Sequence, residues 1–199
     1  WLEKFEKAGQ EMITIKAFWQ KVQTQLKANN PVILAMVMEK KGSAPRGVGA
    51  HMLILSDGST VDTIGGGPLE YLAIQEAKQN LKNGKSIVQT FSLNNATAGE
   101  YGMVCGGQLT VALYCLQQKD LVQVEKALTL INTKNKIVLN LSWQNENFDF
   151  KVYDLAESFA LKEKLTKKSL LQMDTTNQSG QYLEIMKQSP RVYLFGGGY

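Results

Sequence analysis

Histidine, cysteine and proline are scarce in this 199-residue chain, which has one His, two Cys and four Pro. The single His51 argues against a histidine-rich metal centre, and a Ser-His-Asp triad would have to be built around that one residue. Cys105 and Cys115 are too few for the disulfide framework of a secreted domain, and their separation matches no standard zinc spacing. Each cysteine must therefore be interpreted alone.

Long hydrophobic runs and a strong excess of one charge are also missing. The longest apolar stretch, Val32 to Met38, is too short to cross a bilayer, and the first residues lack the layout of a secretion signal. We therefore expect a cytoplasmic protein with no membrane partner. The formal charge of +4 comes from lysines spread along the chain, so we expect no nucleic-acid partner, and at most an anionic small ligand or an acidic protein surface.

The length and the 44% hydrophobic content are enough for one main domain with a buried core. The chain begins at Trp1 rather than at an initiator Met, and it ends at Tyr199 directly after a strand-like run. We expect the native protein to continue beyond it.

Hydrophobic periodicity predicts an α/β domain with a mixed sheet and flanking helices. Polar composition and weak periodicity at 161–180 indicate a linker or mobile loop. Helices are predicted at 15–27, 68–83 and 121–131. Strands are predicted at 31–38, 51–55, 60–64, 86–93, 108–116, 136–143, 147–153 and 191–195.

Three glycine-bearing segments stand at strand edges: Gly42-Ser43-Ala44-Pro45-Arg46, Gly65-Gly66-Gly67-Pro68-Leu69-Glu70 and Met103-Val104-Cys105-Gly106-Gly107. In the second segment a strand runs into three glycines and then into a helix with proline in its first turn. Free backbone N–H groups at a helix start attract anions, so a phosphate-like group is predicted near Gly65 to Pro68. A tight strand-to-helix turn explains the glycines equally well. Glu70 could bind a polar ligand edge, although complementing the helix dipole is its commoner role.

Arg46 follows a proline in a loop after a buried strand, where a fixed guanidinium can bind a phosphate or carboxylate. An ordinary surface arginine is the alternative. Ser43 is a weaker candidate. His51, at the start of a strand, is more typical of a structural hydrogen bond than of a ligand.

Cys105 lies between glycines that leave room for a bulky ligand at its sulfur, and thiolate is a soft ligand suited to a transition metal such as molybdenum. Cys105 is therefore the candidate metal ligand, although packing in the core remains open for it. Cys115 lies in an apolar strand, where inert packing is the default.

Together, in this order, the three segments resemble the xanthine dehydrogenase accessory factor family (XdhC/CoxI). The resemblance covers about Asn30 to Leu116. It implies a cofactor-binding domain at 1–160, a linker or poorly defined segment at 161–190, and the first strand of a truncated Rossmann-type domain at 191–199. Phe195-Gly196-Gly197-Gly198 is only the start of a dinucleotide fingerprint, so NAD(P) or FAD is expected only in the missing domain.

The resemblance also implies a function. Such a factor binds the molybdenum cofactor (molybdopterin), protects it during sulfuration by a cysteine desulfurase, and delivers it to an apo-hydroxylase such as xanthine dehydrogenase. The resemblance implies that Cys105 is the residue that holds the cofactor. We assign no catalytic residue, and a homodimer is possible. The candidate cofactor-binding residues are Ser43, Arg46, Gly65, Gly66, Gly67, Glu70, Cys105, Gly106 and Gly107.

Two other interpretations stay open. The chain could be an oxidoreductase or nucleotidyl-transfer enzyme with Cys105 as nucleophile, although a general base has few candidates near it. It could instead be a protein-interaction domain whose glycine segments are only turns. The cofactor interpretation requires the three segments to meet in one pocket.

Overall fold

The computed structural model describes residues 13–42, 46–92, 107–134, 136–156, 163, 165 and 168–187. Within them the helices are α1 (Ile15–Lys27), α2 (Gly67–Asn83) and α3 (Leu121–Thr133). The strands are β1 (Val32–Lys41), β2 (His51–Ile54), β3 (Thr60–Asp62), β4 (Ile87–Ser92), β5 (Gln108–Leu116), β6 (Lys136–Gln144), β7 (Asn147–Asp154), β8 (Ser169–Asp174) and β9 (Ser179–Lys187). The three predicted helices and seven of the predicted strands are present.

The strands form two sheets. Sheet A has the order β3-β2-β1-β5-β4, and sheet B has the order β7-β6-β9-β8. The predicted α/β class with flanking helices is confirmed. Where the sequence indicated one mixed sheet, the described pairings are all antiparallel. For three of them, β2–β3, β6–β7 and β8–β9, the reason is a short connecting turn, which can join only antiparallel neighbours.

Strand β1 is the centre of the fold, since its residues from Val32 to Met38 are all buried. Successive side chains point to opposite faces of a strand. Ile33, Ala35 and Val37 therefore pack with α2 on one face of sheet A. The alternate residues, with Leu34 and Met36 among them, pack on the other face with α1, α3 and sheet B. Helices cover both faces of sheet A, and sheet B adds to one of them.

Helix α1 forms as its periodicity predicts. The hydroxyl of Thr14 accepts a hydrogen bond from the backbone N–H of Ala17 (3.2 Å) and caps the first turn. The buried face of the helix includes Trp19, whose ring stacks on that of Phe150 in β7 with centroids 6.0 Å apart. This contact joins α1 to sheet B.

Strands β8 and β9 correct the sequence-based interpretation of 161–190 as a linker or poorly defined segment. Residues 169–187 form a paired hairpin in sheet B. The sequence hides β8 because it is an edge strand whose last three residues, Gln172, Met173 and Asp174, are exposed, so no apolar alternation develops. The predicted strand at 191–195, and with it the start of a Rossmann-type domain, lies outside the described residues. The boundaries of the predicted domains at 1–160 and 191–199 remain predictions.

In the described part of the chain, no helix combines the length and the apolar character needed to span a membrane.

Candidate functional site

The described ends of the three glycine segments lie at the same end of sheet A. Strand β1 ends where β5 begins, since Lys41 pairs with Gln108. Strand β3 ends beside the beginning of β2, since Asp62 pairs with Met52, and β2 in turn begins beside the second half of β1. The segment after β1, the glycines after β3 and Gly107 before β5 therefore leave the sheet toward the same end. The end of β3 is level with the middle of β1, near Met36, and β1 and β5 continue together to Lys41 and Gln108.

Glu70 holds the triple-glycine loop in place. One oxygen of its carboxylate, Oε2, accepts hydrogen bonds from the backbone N–H groups of Ile64 and Gly66, each at 2.9 Å, and from the hydroxyl of Thr63. The loop therefore folds back over the first turn of α2. Neither role foreseen for Glu70 describes this clamp, although its position in the first helical turn also complements the helix dipole.

The internal hydrogen bonds use part of the predicted anion cradle. The Gly66 N–H donates to Glu70, and the Gly65 N–H donates to the Thr63 hydroxyl at 3.0 Å. The surface beside Gly66 is nevertheless open, since a Cβ placed there would meet nothing within 4 Å. A phosphate near Gly65 to Pro68 stays a prediction, and these two amides already have acceptors.

Arg46 lies close to the glycine loop. Its Nη1 is 3.7 Å from Oδ1 of Asp62, and 41% of its side chain is exposed. The same carboxylate oxygen accepts a hydrogen bond from the Thr63 N–H at 2.8 Å. Asp62 thus connects Arg46 to the residues that open the glycine loop, and the guanidinium retains an exposed face.

Three of the predicted site residues, Ser43, Cys105 and Gly106, lie outside the described residues. Gly107 is buried directly before β5. The structure therefore brings Arg46, the three glycines and Glu70 together, and it places Gly107 at the same end of the sheet.

Comparison with known proteins finds a family match over part of the chain. Residues 25–92 match the XdhC and CoxI family. The resemblance seen in the sequence is thereby confirmed over this range. A curated relative, the uncharacterized protein YqeB of Escherichia coli (strain K12), is 37% identical over 83 residues, which are 42% of this chain and 15% of YqeB.

A solved structure shares the fold. It is a crystal structure described as a xanthine dehydrogenase from Bacillus halodurans, with a TM-score of 0.59 and 16% sequence identity, and the match covers 83% of this chain and 52% of that one. The chain thus spans about half the length of this neighbour and a much smaller part of YqeB.

The range matched by the XdhC and CoxI family includes Arg46, the triple glycine and Glu70, and it ends before Cys105. It also includes His51, whose Nε2 lies 3.0 Å from Oε2 of Glu184 on β9. The side chain of His51 is 10% exposed and that of Glu184 is 1% exposed. The structural role expected for His51 agrees with this contact.

Sequence analysis did not identify Glu184 or Tyr182. The Tyr182 hydroxyl donates to Oε2 of Glu184 at 2.9 Å, and both side chains lie on the face of β9 that turns toward sheet A. Burial raises the pKa of Glu184, but the contacts with His51 and Tyr182 outweigh it and leave the pKa below its ordinary value. The signal that was available is a carboxylate among the apolar residues Tyr182, Leu183 and Ile185, since a carboxylate buried with them needs a partner.

Cys115 is a buried free cysteine in β5, as expected from its apolar strand. Burial raises the pKa of its thiol, which disfavours the reactive thiolate. In the described ranges no group of three or more His, Cys, Asp or Glu side chains is arranged to hold a metal ion.

A cavity of about 590 Å³ runs along the edge strand β4 toward the turns of sheet B. The ion pair between Lys85 and Glu146, at 3.0 Å, lies at its wall. Of the predicted site residues that the structure describes, none lines this cavity.

Proposed function

We propose that this chain is part of an accessory factor that binds the molybdenum cofactor for a molybdenum hydroxylase such as xanthine dehydrogenase. In this proposal the factor protects the cofactor during sulfuration by a cysteine desulfurase and then delivers it, and Cys105 is the residue that faces the metal. The factor turns over no substrate of its own.

One observation carries the proposal: Arg46 and the triple glycine, which lie within the range that matches the XdhC and CoxI family, are at the same end of sheet A as Gly107, which lies beyond that range. A protein-interaction domain whose glycines served only as turns would not need its arginine and its open glycine surface at one edge. The fold neighbour from Bacillus halodurans is itself described as a xanthine dehydrogenase, the class of enzyme that the proposed factor would serve.

The residues at this edge fit the cofactor in part. A pyranopterin carries a terminal phosphate, a hydrogen-bonding ring system and a dithiolene-bound metal. The partly exposed guanidinium of Arg46 can bind the phosphate with two parallel hydrogen bonds, and the bare surface of Gly66 lets a planar group approach the backbone. The negative carboxylate of Glu70 disfavours a phosphate directly at Gly66, so Arg46 is the better anion partner.

Retention of the cofactor tests this function. Molybdenum cofactor released anaerobically from a molybdoenzyme is mixed with the purified chain, and the molybdenum content of the protein fraction is measured after gel filtration. We expect retention by the wild type, loss with Cys105→Ala, and retention with Cys115→Ala, the matched cysteine variant. Absence of retention by the wild type would refute the function, and equal loss in two folded cysteine variants would refute the role of Cys105.

The enzyme alternative predicts different results. Rapid alkylation of Cys105 at neutral pH, together with thermal stabilisation by a nucleotide, would favour a nucleophilic enzyme over a carrier. A carrier is expected instead to bind apo-hydroxylase, which co-migration of the two purified proteins on gel filtration measures.

A further inference from the structure

Glu184 is a buried carboxylate at the junction of the two sheets. It lies on β9, its side chain is 1% exposed, and three side chains contact it. His51 Nε2 and the Tyr182 hydroxyl lie 3.0 and 2.9 Å from Oε2, and Lys168 Nζ lies 4.0 Å from Oε1. An ionised group is costly to bury, and an apolar pair of similar volume is often as stable. Stability alone therefore does not explain why a charged carboxylate is buried at this position.

The carboxylate lies directly against the segment that carries Arg46. A Cβ added to Gly49 would be 2.6 Å from Oε1 of Glu184 and 2.9 Å from Lys168 Nζ. Glu184 thus occupies the space that a side chain at position 49 would fill. Gly49 has a φ of +83°, which other residues rarely adopt. Glycine is therefore required at position 49 both by its backbone conformation and by the lack of space for a side chain.

The same segment is joined to β1 through its backbone. The Gly49 N–H donates to the carbonyl of Val37 at 2.9 Å, and the Val37 N–H donates to the carbonyl of Ala50 at 3.0 Å. The Tyr182 hydroxyl is 3.5 Å from the same Val37 carbonyl. Residues 49–51 are therefore held between β1 and the Glu184 side chain, and Arg46 is attached three residues away.

We propose that Glu184 is a positioning residue for the cofactor site, acting through His51 and Gly49 to place Arg46 beside Asp62. This inference rests on the proposed function. Glu184 does not touch the cofactor in this proposal. It determines the path of the chain from Arg46 to His51, and so the position of the guanidinium that binds the phosphate. Sheet B thereby contributes to a site built on sheet A.

The test compares Glu184→Gln with Asp154→Asn. Asp154 is the matched control, because it is also a buried carboxylate in sheet B and pairs with a lysine, Lys134, at 3.3 Å. Glutamine keeps the shape of Glu184 and one acceptor oxygen but removes the charge that the imidazole faces. Both variants are expected to lose stability, which a merely structural role also predicts.

Three readouts separate positioning from stability. Amide hydrogen exchange of residues 47–51 is expected to accelerate by about tenfold in Glu184→Gln and to stay unchanged in Asp154→Asn. The NMR signal of the Arg46 guanidinium Nε, assigned by its loss in Arg46→Lys, is expected to move only in Glu184→Gln. Affinity for the molybdenum cofactor is expected to fall about tenfold in Glu184→Gln alone, as for other outer-shell partners of a bound group.

The exchange and NMR readouts need no cofactor, so they test the inference even if the wild type retains none. Unchanged exchange at 47–51 and an unmoved Arg46 signal in Glu184→Gln would overturn it. Equal changes in Asp154→Asn would also overturn it, since both variants would then act through global stability. If Glu184→Gln does not fold, His51→Leu replaces it, because leucine removes the imidazole that contacts Glu184. The same changes in exchange and in the Arg46 signal are then expected.

Discussion

Replacing Glu70 by alanine removes the carboxylate that organises the glycine loop. Three donors would lose their acceptor: the Thr63 hydroxyl and the N–H groups of Ile64 and Gly66. A hydrogen bond to a charged group contributes about 1.5–3 kcal/mol to stability. Because one oxygen is shared and the site is half-buried, we expect Glu70→Ala to lower the free energy of unfolding by about 2–4 kcal/mol in total.

The size of the loss distinguishes this clamp from a simple interaction with the helix dipole. A carboxylate that only complemented the N-terminus of α2 would contribute about 0.3–1 kcal/mol. Urea unfolding followed by circular dichroism measures the difference, with Glu70→Gln expected to fall between alanine and wild type because it keeps one acceptor. Glu125→Ala is the control, since Glu125 is an exposed helical carboxylate that pairs with Lys27 at 3.2 Å, and it should change stability by less than about 1 kcal/mol. A loss below about 1 kcal/mol for Glu70→Ala would refute the clamp.

Further predictions concern the backbone and the buried ionisable groups. Gly66→Ala should destabilise by about 1–3 kcal/mol through backbone strain alone, since Gly66 has a φ of 68° and a ψ of −175° with open space beside it. Gly47→Ala, also in open space, should be nearly neutral by the same unfolding assay. Asp120→Ala should cost about 2–4 kcal/mol, because the Tyr114 hydroxyl (2.8 Å) and the Gln117 N–H (2.9 Å) lose their acceptor, whereas a loss under about 1 kcal/mol would contradict this account. Because the pKa of Glu184 is lowered on folding, its contribution is present above the ordinary carboxyl pKa and is lost as the pH falls through the folded value. The stability difference between wild type and Glu184→Gln should therefore shrink below about pH 4.5, and a constant difference between pH 7 and 3 would be inconsistent with that shift.

Local patterns were sufficient to predict the elements whose burial follows a simple period. The apolar spacing of Phe18, Trp19, Val22 and Leu26 gave α1 its observed bounds, and the unbroken apolar run from Val32 identified the central strand. Asp57 and Gly58 also identified the β2–β3 turn, where Gly58 has a φ of +82° and the Asp57 carboxylate accepts the Ser59 N–H at 2.8 Å. In each case the side chains of one short segment carry the whole signal.

Pairing between distant segments was not predictable in the same way. Strand β8 is recognisable as a strand only through its partner β9, because its last three residues are exposed at the edge of sheet B and its first three are only half-buried. Glu184 likewise becomes meaningful only beside His51, 133 positions away in the chain. A single sequence contains the two residues but not the distance between them, so the buried pair could not be inferred from either one.

The glycine loop shows how the same motif changes meaning once its hydrogen bonds are known. Glycine followed by a helix start predicts an anion site, and an anion does occupy it: the carboxylate of Glu70, four residues after Gly66. A second anion placed on the same amides would face electrostatic repulsion from that carboxylate. A ligand phosphate at this end of sheet A is therefore expected on Arg46, whose contact with Asp62 at 3.7 Å is longer than a hydrogen bond and leaves the guanidinium available. On this reasoning Arg46→Gln should reduce cofactor retention more than Gly66→Ala does when the two variants are compared at equal folded fraction. The reverse order would indicate that the phosphate binds at the glycine loop instead.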